Sequence, residues 1–138
     1  MRSQSFRPLT ALLLGTSLLL AACASIERDK RAVALQAATN GYQSAIRWGY
    51  YETAFGYLHP DLRKDKAPPE SLKDVRLTGY DVIQPPSIQT DETAIQVVDI
   101  EFLFEDRQVV KRLTDRQVWK WDEALDSWWL MSGLPRFQ

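Results

Sequence analysis

The sequence is poor in the side chains from which most sites are built. Its 138 residues include one cysteine, Cys23, and one histidine, His59. A lone cysteine excludes an internal disulfide framework, and with a single imidazole beside it the nitrogen and sulfur ligands of a zinc site are missing, so no metal is expected. A surplus of positive charge is missing too: 17 Lys and Arg stand against 18 Asp and Glu, a net charge of -1. Nucleic-acid binding needs a basic face that displaces counterions from phosphate, so no nucleic-acid partner is expected. There is no GxSxG turn and no glycine-rich phosphate loop, and no cofactor is expected. What remains, 45% hydrophobic and 25% charged residues, has the composition and length of one ordinary globular domain rather than a multidomain enzyme.

The front of the chain is the exception to that ordinariness. Arg2 and Arg7 precede an uncharged run from Leu9 to Leu20 that holds seven leucines, and Ala21 and Ala22 lead into Cys23. A basic start, a short apolar middle and small residues at a cut are the parts of a secretory signal. A run of this length falls short of the ~20 apolar residues of a membrane-crossing helix. Leu20-Ala21-Ala22-Cys23 resembles the lipobox of bacterial lipoproteins. That resemblance implies a signal peptide over 1–22, cleavage before Cys23, diacylglycerol on the Cys23 sulfur, and palmitate-type acylation of the freed amine. Two or more acyl chains exceed what stable anchoring requires, and a thioether cannot be oxidised as a free thiol would be in an oxidising envelope. Ala24 follows the cysteine, not the Asp that retains lipoproteins at an inner membrane, so in a Gram-negative cell the expected address is the outer membrane, facing the periplasm. The mature chain, 23–138, loses two basic groups and no acid, and is net acidic.

Within 23–138 the spacing predicts a helix from Asp29 to about Trp48, with Leu35, Ala38, Tyr42, Ala45 and Ile46 on one face and Gly49 as its stop. An extended linker of about five residues, ~3.4 Å each, would hold it within ~20 Å of the lipid. A second helix is expected over Tyr51–Leu58, ended by His59-Pro60, then a charged loop through Arg63–Lys66 and a single turn started by Pro68 and Pro69. Strands are expected over Val75–Gln84, closed by Pro85 and Pro86, then Thr93–Phe104, Gln108–Trp121 and Ser127–Met131. In the second, the apolar parity shifts from Ile95 and Val97 to Val98 and Ile100, which suggests a β-bulge there. The short links make antiparallel hairpins. The expected architecture is therefore α+β, N-terminal helices packed on a curved antiparallel sheet of about four strands.

The helix pair YQSAIRWGYYETAFGYLHPDLR, the strand DETAIQVVDIEFLFE and the terminal hairpin VWKWDEALDSWWLMSGLP resemble, in order and pattern, the NTF2-like superfamily of cone-shaped α+β domains over about 100 residues. Cystatin-like folds share the helix-on-sheet layout. The NTF2-like resemblance implies an open cone end that takes small apolar molecules, and dimerisation through the sheet, for which Trp128 is a candidate contact if Trp129 packs inward beside Trp119 and Trp121. Trp48 and Tyr51, at the helix junction, are the candidate ligand- or partner-binding residues. Isomerase and dehydratase relatives move a proton with an in-cone carboxylate; Asp99 and Asp115 are the positions to weigh for that role, with Tyr42 or Tyr51 as donors. Lys111, Arg112 and Arg116 around Asp115, and the alternation of Asp99 with Glu101, favour solvated ion pairs instead. His59 before Pro60 is expected to cap the C-terminus of its helix rather than to act as an acid or base.

These readings converge on a noncatalytic lipid-anchored envelope protein that binds a protein partner or a small apolar ligand, with a homodimer allowed. A small isomerase or dehydratase and a structural subunit of an envelope assembly are the alternatives. The anchor is directly testable. Cys23→Ser should abolish lipid attachment and leave the precursor unprocessed. An unmodified Cys23 thiol, found by mass spectrometry of the wild-type membrane fraction, would contradict it.

Overall fold

The computed structural model describes the backbone from Leu9 to Gln138 and side chains from Ala22 onward. The basic start with Arg2 and Arg7 lies outside the described residues, as do the side chains of Leu20 and Ala21. Contacts divide the chain into two units, Met1–Val33 and Ala34–Gln138. No helix of the described residues is long and apolar enough to cross a membrane.

Helix α1 runs over Leu9–Arg47, so the extended linker after Cys23 and the start at Asp29 are both corrected. Leucine and alanine are strong helix formers, and neither proline nor a capping break interrupts them before Asp29. In the first unit the helix is exposed from Ala22 to Lys30, Cys23 included, and Glu27 pairs with Arg31 across one turn.

In the second unit α1 buries Leu35, Thr39, Tyr42, Ala45 and Ile46. Of the expected stripe only Ala38 is half-buried instead, and Thr39 is added; its hydroxyl donates back to the Gln36 carbonyl at 3.1 Å, the usual way a mid-helix threonine satisfies itself. Gly49, at φ +73°, closes the helix. Tyr50 N–H donates to the Ala45 carbonyl and Gly49 N–H to that of Ile46, the paired bonds of a Schellman motif, in which a left-handed residue is least costly as glycine.

Short helices α2 (Tyr51–Phe55) and α3 (Pro60–Arg63) and a 3-10 turn (Glu70–Asp74) follow. The Pro-started turn is where it was expected, whereas α3 occupies part of the expected charged loop. The strands are β1 (Val75–Thr90), β2 (Thr93–Phe104), β3 (Lys111–Asp122) and β4 (Ser127–Leu130), in one antiparallel sheet ordered β1-β2-β3-β4. The α+β, helix-then-meander expectation is therefore met.

Three details differ. β1 continues through Pro85 and Pro86, which as an edge strand it tolerates, because a proline there forfeits no ladder bond on its open side. The bulges lie in β1, not in β2: β2 alternates without a break, Ala94, Gln96, Val98, Ile100 and Phe102 inward. One of the β1 irregularities, between Val82 and Gln84, falls opposite the Val97–Val98 step. β3 begins at Lys111, after Gln108 turns the chain at φ +54° and leaves Val109 and Val110 exposed. The opposite edge is closed: Leu130 N–H donates to the Tyr57 carbonyl and His59 N–H to that of Leu130, so residues 57–59 lie along β4.

The core forms where the α1 stripe meets the inner face of the sheet. Trp119 and Trp121 are both buried on that face. Trp128 is buried with them, its ring centroid 5.5 Å from that of Trp121, while the half-buried Trp129 takes the other face. The expected assignment of these two is reversed, and Trp128 is not available as a dimer contact.

Gly41 of α1 faces the Tyr57 side chain. A Cβ there would overlap the Tyr57 hydroxyl, so the ~1 kcal/mol of helix propensity that Gly41→Ala offers is outweighed by the clash. The variant should lose about 1–3 kcal/mol in chemical denaturation, and Tyr57→Phe in the same chain should restore part of it. Equal loss in both backgrounds would contradict the assignment.

Candidate functional site

Two places gather polar or exposed aromatic chemistry, one at the end of α1 and one on the inner face of the sheet. At the first, the Schellman turn throws Trp48 and Tyr50 outward, 69% and 64% exposed. Tyr51 starts α2 beside them, half-buried, and its hydroxyl donates to the Val75 carbonyl at 2.9 Å. That bond ties the start of α2 to the start of β1, and burial pushes the Tyr51 phenol up to about 12. Trp48 and Tyr51, the two residues singled out from sequence, line one open recess of about 650 Å³. Arg47, Lys73, Arg76 and Glu105 line it as well. Lys73 is engaged by Glu70; Arg47 and Arg76 form no ion pair among the described residues, so the rim is left cationic.

At the second place Asp115 departs from expectation. It shares strand parity with Leu113, Gln117 and Trp119 and faces inward, half-buried, so the exposed ion pair with Arg112 and Arg116 is corrected. Arg112 instead pairs across the outer face with Glu101. Gln117, fully buried, donates both amide hydrogens, one to the Tyr80 hydroxyl at 2.9 Å and one to Asp115 Oδ2 at 3.1 Å. Its oxygen accepts from the Trp119 indole at 3.4 Å. Burial raises the Asp115 carboxyl above its ordinary range, opposed by the Gln117 bond, and pushes the Tyr80 phenol up to about 12. The Tyr42 hydroxyl is fully buried with no hydrogen-bond partner among the described residues; burial first and the nearby Asp115 charge second hold its pKa well above the usual value. The strand parity with Leu113 and Trp119 was the signal that could have found Asp115.

Asp99 lies on the outer face, where its carboxylate accepts from the Thr114 hydroxyl at 2.7 Å, in keeping with the expected outward stripe. His59 does cap a helix, but the next one: its Nδ1 accepts from the Asp61 N–H at the start of α3. Its Nε2 lies 3.3 Å from Asp122 Oδ2. The correction follows from α2 ending at Phe55, which leaves His59 at the N-terminus of α3. Among the described residues no group of His, Cys, Asp and Glu could hold a metal ion.

No known family model matches the chain, and comparison with curated proteins gives no match.

The inner cluster makes two stability predictions. Because the Asp115 pKa is raised on folding, the folded chain holds that proton more tightly than the unfolded one; the contribution that favours folding is present at low pH and is lost as pH rises through the folded value. Asp115→Asn should therefore raise Tm at neutral pH, with the difference from wild type closing toward about pH 3, below the unfolded carboxyl value. A neutral-pH Tm lower than wild type would contradict this. Tyr42→Phe removes a buried, unbonded hydroxyl and should gain about 1 kcal/mol or be neutral by denaturant titration; a loss above about 1 kcal/mol would show that the hydroxyl is bonded.

Proposed function

We propose that this chain is a noncatalytic, lipid-anchored lipoprotein of the bacterial cell envelope whose NTF2-like domain binds a protein partner at the recess of Trp48 and Tyr51. The lipobox-like Leu20-Ala21-Ala22-Cys23 supports the anchor, the exposed Cys23 is compatible with acylation, and Ala24 favours the outer membrane, periplasmic side. The order of helices before a four-stranded antiparallel meander supports the NTF2-like assignment.

The observation that carries the binding reading is the meeting of Trp48 and Tyr51 with the guanidinium groups of Arg47 and Arg76, which form no ion pair among the described residues, around one open recess, next in the chain to the exposed Tyr50. Trp, Tyr and Arg are the residues that dominate binding hot spots. The recess is open and its rim charged, which suits the surface of an acid-bearing protein better than a small apolar molecule.

A second reading, the proton-transfer enzyme, draws on the inward, proton-favouring Asp115 beside Tyr42 and Tyr80. Against it, Gln117 already occupies that carboxylate, and Asp115 does not line the Trp48 recess.

In intact cells, a photoreactive residue at Tyr50 should give a discrete protein adduct that one at Glu123 does not. Trp48→Ala, which leaves the Tyr51–Val75 tie in place, should weaken that complex by about 2 kcal/mol, roughly thirtyfold in Kd, with an unchanged Tm. Asp115→Asn should leave it intact. Loss of biological activity in Asp115→Asn with a Tm no lower than wild type, and with the Trp48→Ala chain fully active, would replace the binding reading with the enzyme.

A further inference from the structure

We propose that a second recess, between α3, the 3-10 turn and the C-terminal tail, is a binding site for a single-chain acyl anion of the fatty-acid class. It has a volume of about 570 Å³, within the range of small-molecule sites. Most of the side chains that line it are apolar, with Phe55, Leu58, Leu62, Leu72, Phe104 and Phe137 among them. The charged residues that line it are Lys66 and Arg136, and no carboxylate does, in a chain whose acids outnumber its bases.

Both cations are free for a ligand. Lys66 and Arg136 are exposed and form no ion pair among the described residues. Arg63, one turn earlier, is by contrast committed: its Nε donates to the Leu58 carbonyl at 3.0 Å and its guanidinium lies over Trp129.

The outer wall is part of the fold. Gly133 turns the chain at φ +82°, the Phe137 ring packs on Phe102 with centroids 4.9 Å apart, and Lys111 Nζ donates to the Gln138 carbonyl at 2.8 Å. An apolar cleft of fixed walls under a cationic rim is matched by a molecule with a hydrocarbon body and one negative head. Burial of the chain supplies the affinity and the two cations select the anion over a neutral head. This site shares no wall with the Trp48 recess except Val75, and it does not depend on the partner reading.

The test uses the full chain in phosphatidylcholine vesicles, exposed to diazirine-bearing hexadecanoate and mapped by mass spectrometry after irradiation. Adducts are expected on residues 55–72 and 133–137. Diazirine-bearing hexadecanol should label those segments about tenfold less, the step that corresponds to about 1.4 kcal/mol. Lys66→Glu combined with Arg136→Glu, two surface changes that leave the core alone, should lower hexadecanoate labelling by a similar factor, and Trp48→Ala should not. Equal labelling by acid and alcohol, no effect of the double substitution, or adducts only elsewhere would overturn the proposal. So would equal labelling of the same segments by a diazirine-bearing phosphatidylcholine in the bilayer, which would make the occupant a two-chain membrane lipid.

Discussion

The Ala34–Gln138 unit is organised around the indole of Trp119. Its ring meets those of Tyr42 from α1 and Tyr57 from the segment beside β4 nearly at right angles, with centroids 5.7 and 6.4 Å apart, while Tyr42 and Tyr57 meet each other at 6.0 Å. Ala94 of β2 and Leu130 of β4 stand opposite it across the two neighbouring strands. Three edge-on aromatic contacts of this kind contribute roughly 0.5–1.5 kcal/mol each beyond the area they bury, and they join elements far apart in sequence. These contacts hold α1 and the segment beside β4 against the same strand, β3. Gly41 belongs to the same constraint, since α1 must be bare there for Tyr57 to enter.

From that centre the two recesses follow. With Tyr42, Ala45 and Ile46 committed to the core, the end of α1 is fixed, and the Gly49 turn can project Trp48 and Tyr50 only away from it. Tyr51 then ties the turn to Val75, where β1 begins, so the aromatic and cationic rim is assembled from the two ends of adjoining elements. The tail after β4 packs on Phe102 through Phe137, and its residues wall the cleft lined by Lys66 and Arg136. Inside, the polar cluster of Gln117, Tyr80 and Asp115 is bonded to the same indole, which gives a polar interior a defined geometry at the cost of a carboxyl and a tyrosine hydroxyl held in unfavourable surroundings.

Much of the fold could be read from periodicity, and its failures have physical causes. The α1 stripe was legible because apolar and polar residues contrast at three-and-four spacing. β4 was not, since Trp128 and Trp129 are adjacent and equally apolar, and parity in a four-residue strand rests on the Trp121–Trp128 pairing that only β3 supplies. β2 read as bulged because Ile95 and Val97 are apolar on the outer face while Gln96 is buried on the inner; the extra residue belongs to its partner. Pro85 and Pro86 read as a terminus because whether a strand lies at an edge is a property of the sheet. At the sites, Trp48 and Tyr51 were legible as aromatics at a helix break, whereas of the cations that join them only Arg47 adjoins that break and Arg76 comes from the start of β1. Asp115 was obscured by the charges of Arg112 and Arg116, which point to the opposite face.

On the proposed reading, the turn at the end of α1 and the start of β1 form one binding surface that is occupied in the envelope. Amide hydrogen exchange, compared between the protein in membranes of the cells that make it and the same protein purified in detergent, measures this directly. Slower exchange is expected in the membranes over residues 47–51 and 73–78 together, with little change at the β2–β3 turn around Val109. Unchanged exchange in both segments, or protection confined to the β2–β3 turn, would contradict it.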